Sequence, residues 1–335
     1  MEPIIRPDNI HISLPADINL YQASSLEWSQ QFKDSPNYEL ELYPQSFFLP
    51  ELCGPVHAFS LYGLMCTVLL RISADICRLV VNSDLADVDK HQYVPWKICQ
   101  LDKRASIAVP ILMHAIQSYN KTFKESNPNG IVIWHSMCII LTVDINLLAR
   151  AGGRDGTQSM KRARQSLTTW VHTPAARRAC VHAAQTFQTL SHRKPADGTA
   201  FQSVRALFMS ALVLGLYILK SERSHDARSS HDAGPFDLAK TPIDWPAIAN
   251  VGISDDISQC SHHPSGATSA LINFIQFGGP IIINGRTYKS GARHAQRIVL
   301  EFASLLDEVG THWMAGYAQV LYMIHDTMEE TAVIE

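Results

Sequence analysis

A chain of 335 residues is long enough to bury a sizeable core, as one large domain or two small ones, and its formal net charge of −3 excludes the overall basic footprint of a dedicated nucleic-acid module. Its hydrophobic share of 46% is ordinary for a globular protein. Apolar residues recur at helical spacing while strand alternation is nearly absent, which predicts an all-α fold: a large irregular multi-helix domain with a buried central helix at about 131–149.

The first 37 residues carry Pro3, Pro7, Pro15 and Pro36 with weak periodicity, and are expected to be loosely structured, the helical domain filling 38–335. The opening MEPIIRPDNI has no apolar core of a secretory signal. The seven cysteines (Cys53, Cys66, Cys77, Cys99, Cys138, Cys180 and Cys260) are odd in number and form no CxxC pair, which fits a reducing, intracellular compartment. Cys138 and Cys180 sit on apolar helix faces and read as buried small hydrophobes.

Leu52 to Asn82 reads as a good helix, in which Gly63 costs about 1 kcal/mol relative to alanine. Asp84 to Trp96 reads as a loop, and Ile98 to Phe123 as a helical stretch interrupted or kinked at Pro110. The turn cluster Asn127-Pro128-Asn129-Gly130 leads into the central helix. That helix is apolar on every side, through Ile131, Trp134, Met137, Cys138, Leu141, Ile145 and Leu148, so it belongs in a core. Thr142, Asp144 and Asn146 interrupt the apolar run, which argues against a membrane crossing.

The helix is expected to stop at Gly152-Gly153 in a left-handed turn, with Arg154 or Asp155 locking that turn by pairing with a neighbour. Gly152, Gly153, Arg154 and Asp155 are thus read as a structural turn. Asp155 then begins the next helix, with Gln158 completing a capping box. Thr173-Pro174 restarts the chain, and a further helix begins near Thr199. Two polar stretches, about 221–236 (with SHDA at Ser224 and again at Ser230) and 251–266, read as mobile loops. Asn284-Gly285 suits a tight hairpin turn. Ser290 is expected to cap the next helix, Gly310 to end it, and Thr311 to start the last. Beyond Arg297 the only charged residues are the acids Glu301, Asp307, Glu308, Asp326, Glu329, Glu330 and Glu335, which read as solvated faces in preference to an acidic contact surface.

Few residues carry the spacing that chemistry needs. Cys260 and His262-His263 lack a second cysteine and read as a solvated loop, not a zinc site. His135 and Ser136 point about 100° apart on a helix, and Asp144 faces the opposite side, so no triad forms; His135 reads as a hydrogen-bonded core histidine. No GxSxG elbow, GxGxxG loop or Walker lysine occurs. Asp255-Asp256 begins a DDxxD-like magnesium motif of an all-α prenyl-diphosphate enzyme, but Gln259 stands where its last carboxylate belongs. A basic run covers 150–194, with Asp155 its only carboxylate. Lys161, Arg162, Arg164, Arg177 and Arg178 are its candidate phosphate-contact or electrostatic face, which could bind a nucleic-acid backbone. The favoured alternative pairs Arg177 with carboxylates of the C-terminal helices inside the domain.

Several segments carry a resemblance. WHSMCIILTVDINLLARAGGRDG (134–156), TPAARRACVHAAQTF (173–187) and DGTAFQSVRALFMSALVLGLYIL (197–219) resemble blocks of the fungal-specific transcription factor regulatory domain. DLAKTPIDW (237–245), INFIQFGG (272–279) and YKSGARHAQRIVLEFASLLDEVG (288–310) are similar to its later blocks, in the same order. The match is closest to members with two-Cys, two-His zinc fingers. The resemblance implies a nuclear, non-enzymatic regulator of RNA polymerase II transcription acting through protein contacts, with other transcription proteins or a full-length relative as partners. Zinc is expected only in the family's upstream fingers, for which no positions match here, so DNA contact would be indirect or through those fingers. No cofactor and no membrane association are expected. A cavity for a small molecule between Trp134, Trp170 and Phe208 is one option, and a plain core role for these aromatics the simpler one.

Overall fold

The computed structural model describes residues 11–13, 24, 30, 39–41, 58–82, 94–125, 127–194, 196–221, 236–239, 243–248, 251–253, 266–310 and 315–332. The fold is all-α, with small sheets at its margin. A two-stranded antiparallel ladder pairs β1 (His11–Ser13) with β2 (Glu39–Glu41), so it joins residues on both sides of the boundary expected at 37.

The helices are α1 (Ala58–Asn82), α2 (Pro95–Gln100), α3 (Ala108–Glu125), α4 (Asn129–Thr142), α5 (Ile145–Ala151), α6 (Thr157–Trp170), α7 (Pro174–Ser191) and α8 (Phe201–Lys220). They continue with α9 (Trp245–Ile248), α10 (Gly266–Phe277), α11 (Ala292–Val309) and α12 (Ala315–Ala332). The core is built around α4, which packs on α1, α7 and α8, while α8 also packs on α11, and α11 on α12. Every residue of α4 except Ile131 is buried, as expected of a helix without a polar face.

The central helix is not continuous to residue 149. It bends by 83° between α4 and α5. Val143 is extended, and the Asp144 carboxylate accepts the Asn146 N–H at 2.8 Å, an N-cap that starts a new helix where the apolar run was already interrupted. Trp170 Nε1 then donates to the Thr142 carbonyl at 3.2 Å, taking up one backbone oxygen near the break.

Other boundaries also move for identifiable reasons. Pro110 lies in the first turn of α3, where a missing N–H costs nothing, so it starts that helix and does not kink it. Pro95 likewise opens α2, so the expected loop does not reach Trp96. Helix α6 begins at Thr157 with Gly156 as N-cap and no side-chain cap; Asp155 does not start it and no capping box forms. Gly152 is right-handed (φ −75°), and the positive φ angles fall on Gly153 (103°) and Gly156 (83°). Gly291, not Ser290, caps α11. Thr173 caps α7 as expected, accepting the Ala176 N–H at 3.1 Å, with Pro174 at the first helical position.

The Asn284-Gly285 hairpin is present: β4 (Ile281–Ile283) pairs antiparallel with β5 (Arg286–Tyr288), and β3 (Phe236–Asp237) adds in parallel on the other side of β4. Phe236 and Val251–Ile253 therefore belong to the structured body and not to the flanking loops. Residues 222–235 and 254–265 of those loops, with Asp255, Asp256, Gln259, Cys260, His262 and His263, lie outside the described residues, as does Thr311. Among the described residues one helix, α8, is long and apolar enough to cross a membrane, and most of it is buried inside the protein.

Candidate functional site

Among the buried polar groups of the described residues, one cluster draws on four separate stretches of chain. His135 on α4 and His182 on α7 are 2% and 0% exposed, with their Nδ1 atoms 3.0 Å apart. Arg178, one turn before His182 on α7 and fully buried, donates from Nε to His182 Nε2 at 3.3 Å and from a terminal nitrogen to the Val251 carbonyl at 2.5 Å. Trp245 of α9 stacks on the His182 ring, centroids 4.4 Å apart and planes 13° from parallel. Trp134 meets His135, His182 and Trp245 edge-on, at 5.2, 5.3 and 5.1 Å.

The donors fix the tautomers. Arg178 can only donate, so His182 Nε2 accepts and its single proton sits on Nδ1. That Nδ1–H donates to His135 Nδ1, which leaves the His135 proton on Nε2. The chain runs one way, from Arg178 to His182 to His135, and requires both rings neutral. Burial enforces this: it lowers the His135 pKa to about 3, and lowers that of His182 well below the ordinary histidine value, helped by the Arg178 charge. The same desolvation lowers Arg178 to about 10 and pushes the Cys138 thiol up to about 12.

Such a pair is poorly suited to acid–base catalysis near neutral pH, since a general base works best with a pKa near the operating pH. Ser136 is buried beside it, and the Asp144 carboxylate is occupied as a cap, so His135, Ser136 and Asp144 are not brought together. Among the described residues no three His, Cys, Asp or Glu side chains gather as a metal site would need.

Val251 reaches Arg178 because Gly252 follows it. A Cβ at Gly252 would lie 2.7 Å from Ile275 Cγ2 and 2.9 Å from the Pro174 carbonyl oxygen, and its φ of 79° suits glycine. The segment thereby presses against the start of α7 and the end of α10.

The basic candidates do not share one face. Lys161 and Arg162 are exposed. Arg164 is 5% exposed and donates from Nε to the Ala151 carbonyl at 3.1 Å, tying α6 to the end of α5. Arg178 is in the cluster just described. Arg177 does not pair with carboxylates of the C-terminal helices: it donates to the carbonyls of Ile275 (2.7 Å) and Gln276 (2.6 Å) at the end of α10, and to His172 (2.9 Å). It caps a helix terminus whose carbonyls lack intrahelical partners and whose dipole favours a cation. In the turn, Arg154 Nε meets Asp155 Oδ1 at 3.1 Å and a terminal nitrogen reaches Asn146 Oδ1 at 3.4 Å. Trp134 and Trp170 donate their indole N–H groups to the Leu112 and Thr142 carbonyls, while Phe208 packs on Tyr317, so these three aromatics have separate structural partners.

His182, Trp245 and Val251 were missed by sequence reading. The available signal was Arg178 and His182 four apart on an alanine-rich helix, on one face by helical geometry. No family model, curated protein or solved structure matches the chain.

Proposed function

We propose that this chain is the regulatory domain of a fungal transcription factor, acting in the nucleus on RNA polymerase II transcription through contacts with other transcription proteins or a full-length relative, with DNA reached through such a partner or through zinc fingers. One observation supports this reading above the rest. The segments that resemble the family are scattered over more than 100 residues, yet they supply one buried cluster: Trp134 and His135 from the first, Arg178 and His182 from the second, Trp245 from DLAKTPIDW. The Ile275 side chain and carbonyl of INFIQFGG bear on Gly252 and Arg177 beside it. A shared core of desolvated, neutral histidines ties these blocks together, which suits a scaffold for protein contacts. The nucleic-acid reading is weaker, because Arg164, Arg177 and Arg178 are committed to internal carbonyls and rings. An enzymatic reading through Asp255 and Asp256 rests on residues outside the described ones.

The test fuses the full chain to an unrelated DNA-binding domain in a fungal host carrying a matched reporter. The expected result is a change in reporter output relative to the DNA-binding domain alone, at equal protein level, with transcription proteins co-purifying. Unchanged output from a folded, nuclear fusion would overturn the proposal.

A further inference from the structure

A cleft of about 350 Å³ opens between α5 and α6, away from the histidine cluster. Its floor is apolar, made by the buried Leu147 of α5 and Ala163 of α6. Its rim is polar, with Arg150 from the last turn of α5 and Gln158, Ser159 and Arg162 from the start of α6. Helical spacing puts them there: Leu147 and Arg150 are three apart, and Gln158 and Ser159 stand four before Arg162 and Ala163.

No carboxylate lines this cleft. Among the described residues neither Arg150 nor Arg162 has an ion-pair partner, and Arg150 makes only a long 3.4 Å bond from Nε to the Asn146 carbonyl. Asp155, in the loop joining the two helices, is held by Arg154. Helix α6 starts at Thr157, and its N-cap Gly156 has no side chain to cap the first N–H groups, so the positive end of its dipole lies at the Gln158–Ser159 end of the rim. Two arginines, a serine and a glutamine thus line one space, over a floor that suits a short carbon skeleton.

We propose that this cleft binds a small phosphate monoester. Arginine forks match phosphoryl oxygens with paired, charge-assisted bonds, and the terminal oxygens of a phosphate can take donors from both arginines and from Ser159 together. A volume near the lower end of the roughly 300–1,000 Å³ typical of ligand sites fits a metabolite-sized molecule and not a strand of nucleic acid. The inference stands apart from the transcriptional role, since it concerns binding alone.

The experiment is calorimetric titration of the full chain with glycerol 3-phosphate, with glycerol as the uncharged control and inorganic phosphate as competitor. Saturable one-to-one binding is expected for glycerol 3-phosphate and none for glycerol, with inorganic phosphate competing. Arg150→Gln and Arg162→Gln should each weaken binding about ten-fold, the cost of losing a charge-assisted contact. Lys161→Gln removes the same charge from an exposed neighbour and should leave affinity unchanged. Circular dichroism checks each variant; should Arg150→Gln disturb the fold, the exposed Arg162 decides alone. Absence of saturable binding overturns the proposal, as does an equal loss in Lys161→Gln, which would mark diffuse attraction. Tighter binding of a short single-stranded oligonucleotide that depends on Lys161 would also overturn it.

Discussion

Protonating His135 or His182 would place a charge in the interior, and at His182 that charge would fall beside Arg178. Either proton also breaks the one-way chain, because His135 Nδ1 and His182 Nε2 must both accept. In the unfolded chain both rings titrate near the ordinary value of 6.5, whereas the folded protein holds His135 near 3 and His182 well below 6.5. The unfolded state therefore binds more protons as pH falls, so the contribution is intact above about 6.5 and is lost progressively below it. Each histidine that stays neutral should cost stability at about 1.4 kcal/mol per pH unit in that range. Urea unfolding between pH 7 and 5, above the range of most carboxylates, should resolve this slope. His135→Gln should flatten it by the share of one ring, since an amide keeps a polar partner without titrating. A slope unchanged in that variant would mean that the pair is not what titrates. At this scale the sequence was partly legible: a histidine in an all-apolar helix announces a buried hydrogen bond, but its partner on α7, 47 residues away, has no local signature.

At the scale of elements, α8 and α11 approach closely because Gly215 faces Val299. A Cβ at Gly215 would lie 2.6 Å from Val299 Cγ2, far inside van der Waals contact, and valine has little rotamer freedom with which to retreat. Gly215→Ala gains helix propensity of roughly 1 kcal/mol, but overpacking typically costs about 1–3 kcal/mol, so net destabilisation is expected. Val299→Ala in the same chain should recover most of that cost. Denaturant midpoints of the two single variants and the double variant give the coupling directly; additive effects would show that the helices do not meet at this pair. The helix stripes were readable from periodicity, because most of the outer helices bury one face, as α6 and α11 do. The joints were less so. The 83° bend after Thr142 was signalled by Asp144 but read as a polar interruption, since capping depends on Val143 turning extended. Arg177 and Arg178 lie off the apolar stripe of α7, which reads as exposure; a second layer, α10 and the Val251–Ile253 segment, covers that side. Which side receives a second layer is decided by residues about 75–100 positions away, beyond any local pattern.

For the molecule as a whole, the arrangement predicts one cooperative body around α4. Cys138 on α4, Cys180 on α7 and Cys99 on α2 are buried, whereas Cys77 on α1 is exposed. Burial pushes Cys99 and Cys138 up to about 12 and Cys180 well above its ordinary value, so these thiols are protected both by access and by suppression of the reactive thiolate. Because α4 is enclosed by α1, α7 and α8 and Cys138 is fully buried, exposing it is expected to need those neighbours to separate. Modification by a thiol reagent under native conditions should therefore be immediate at Cys77 and slow at the other three. Cys138 and Cys180 should then share one dependence on urea, with the slope of global unfolding, as expected when protection reports opening of a single unit. Mass spectrometry of peptides carrying each cysteine separates the sites. Early labelling of Cys180 with a shallow urea dependence would mean that α7 detaches on its own, which would also release Arg178 and His182 from the cluster and divide the body into separate units.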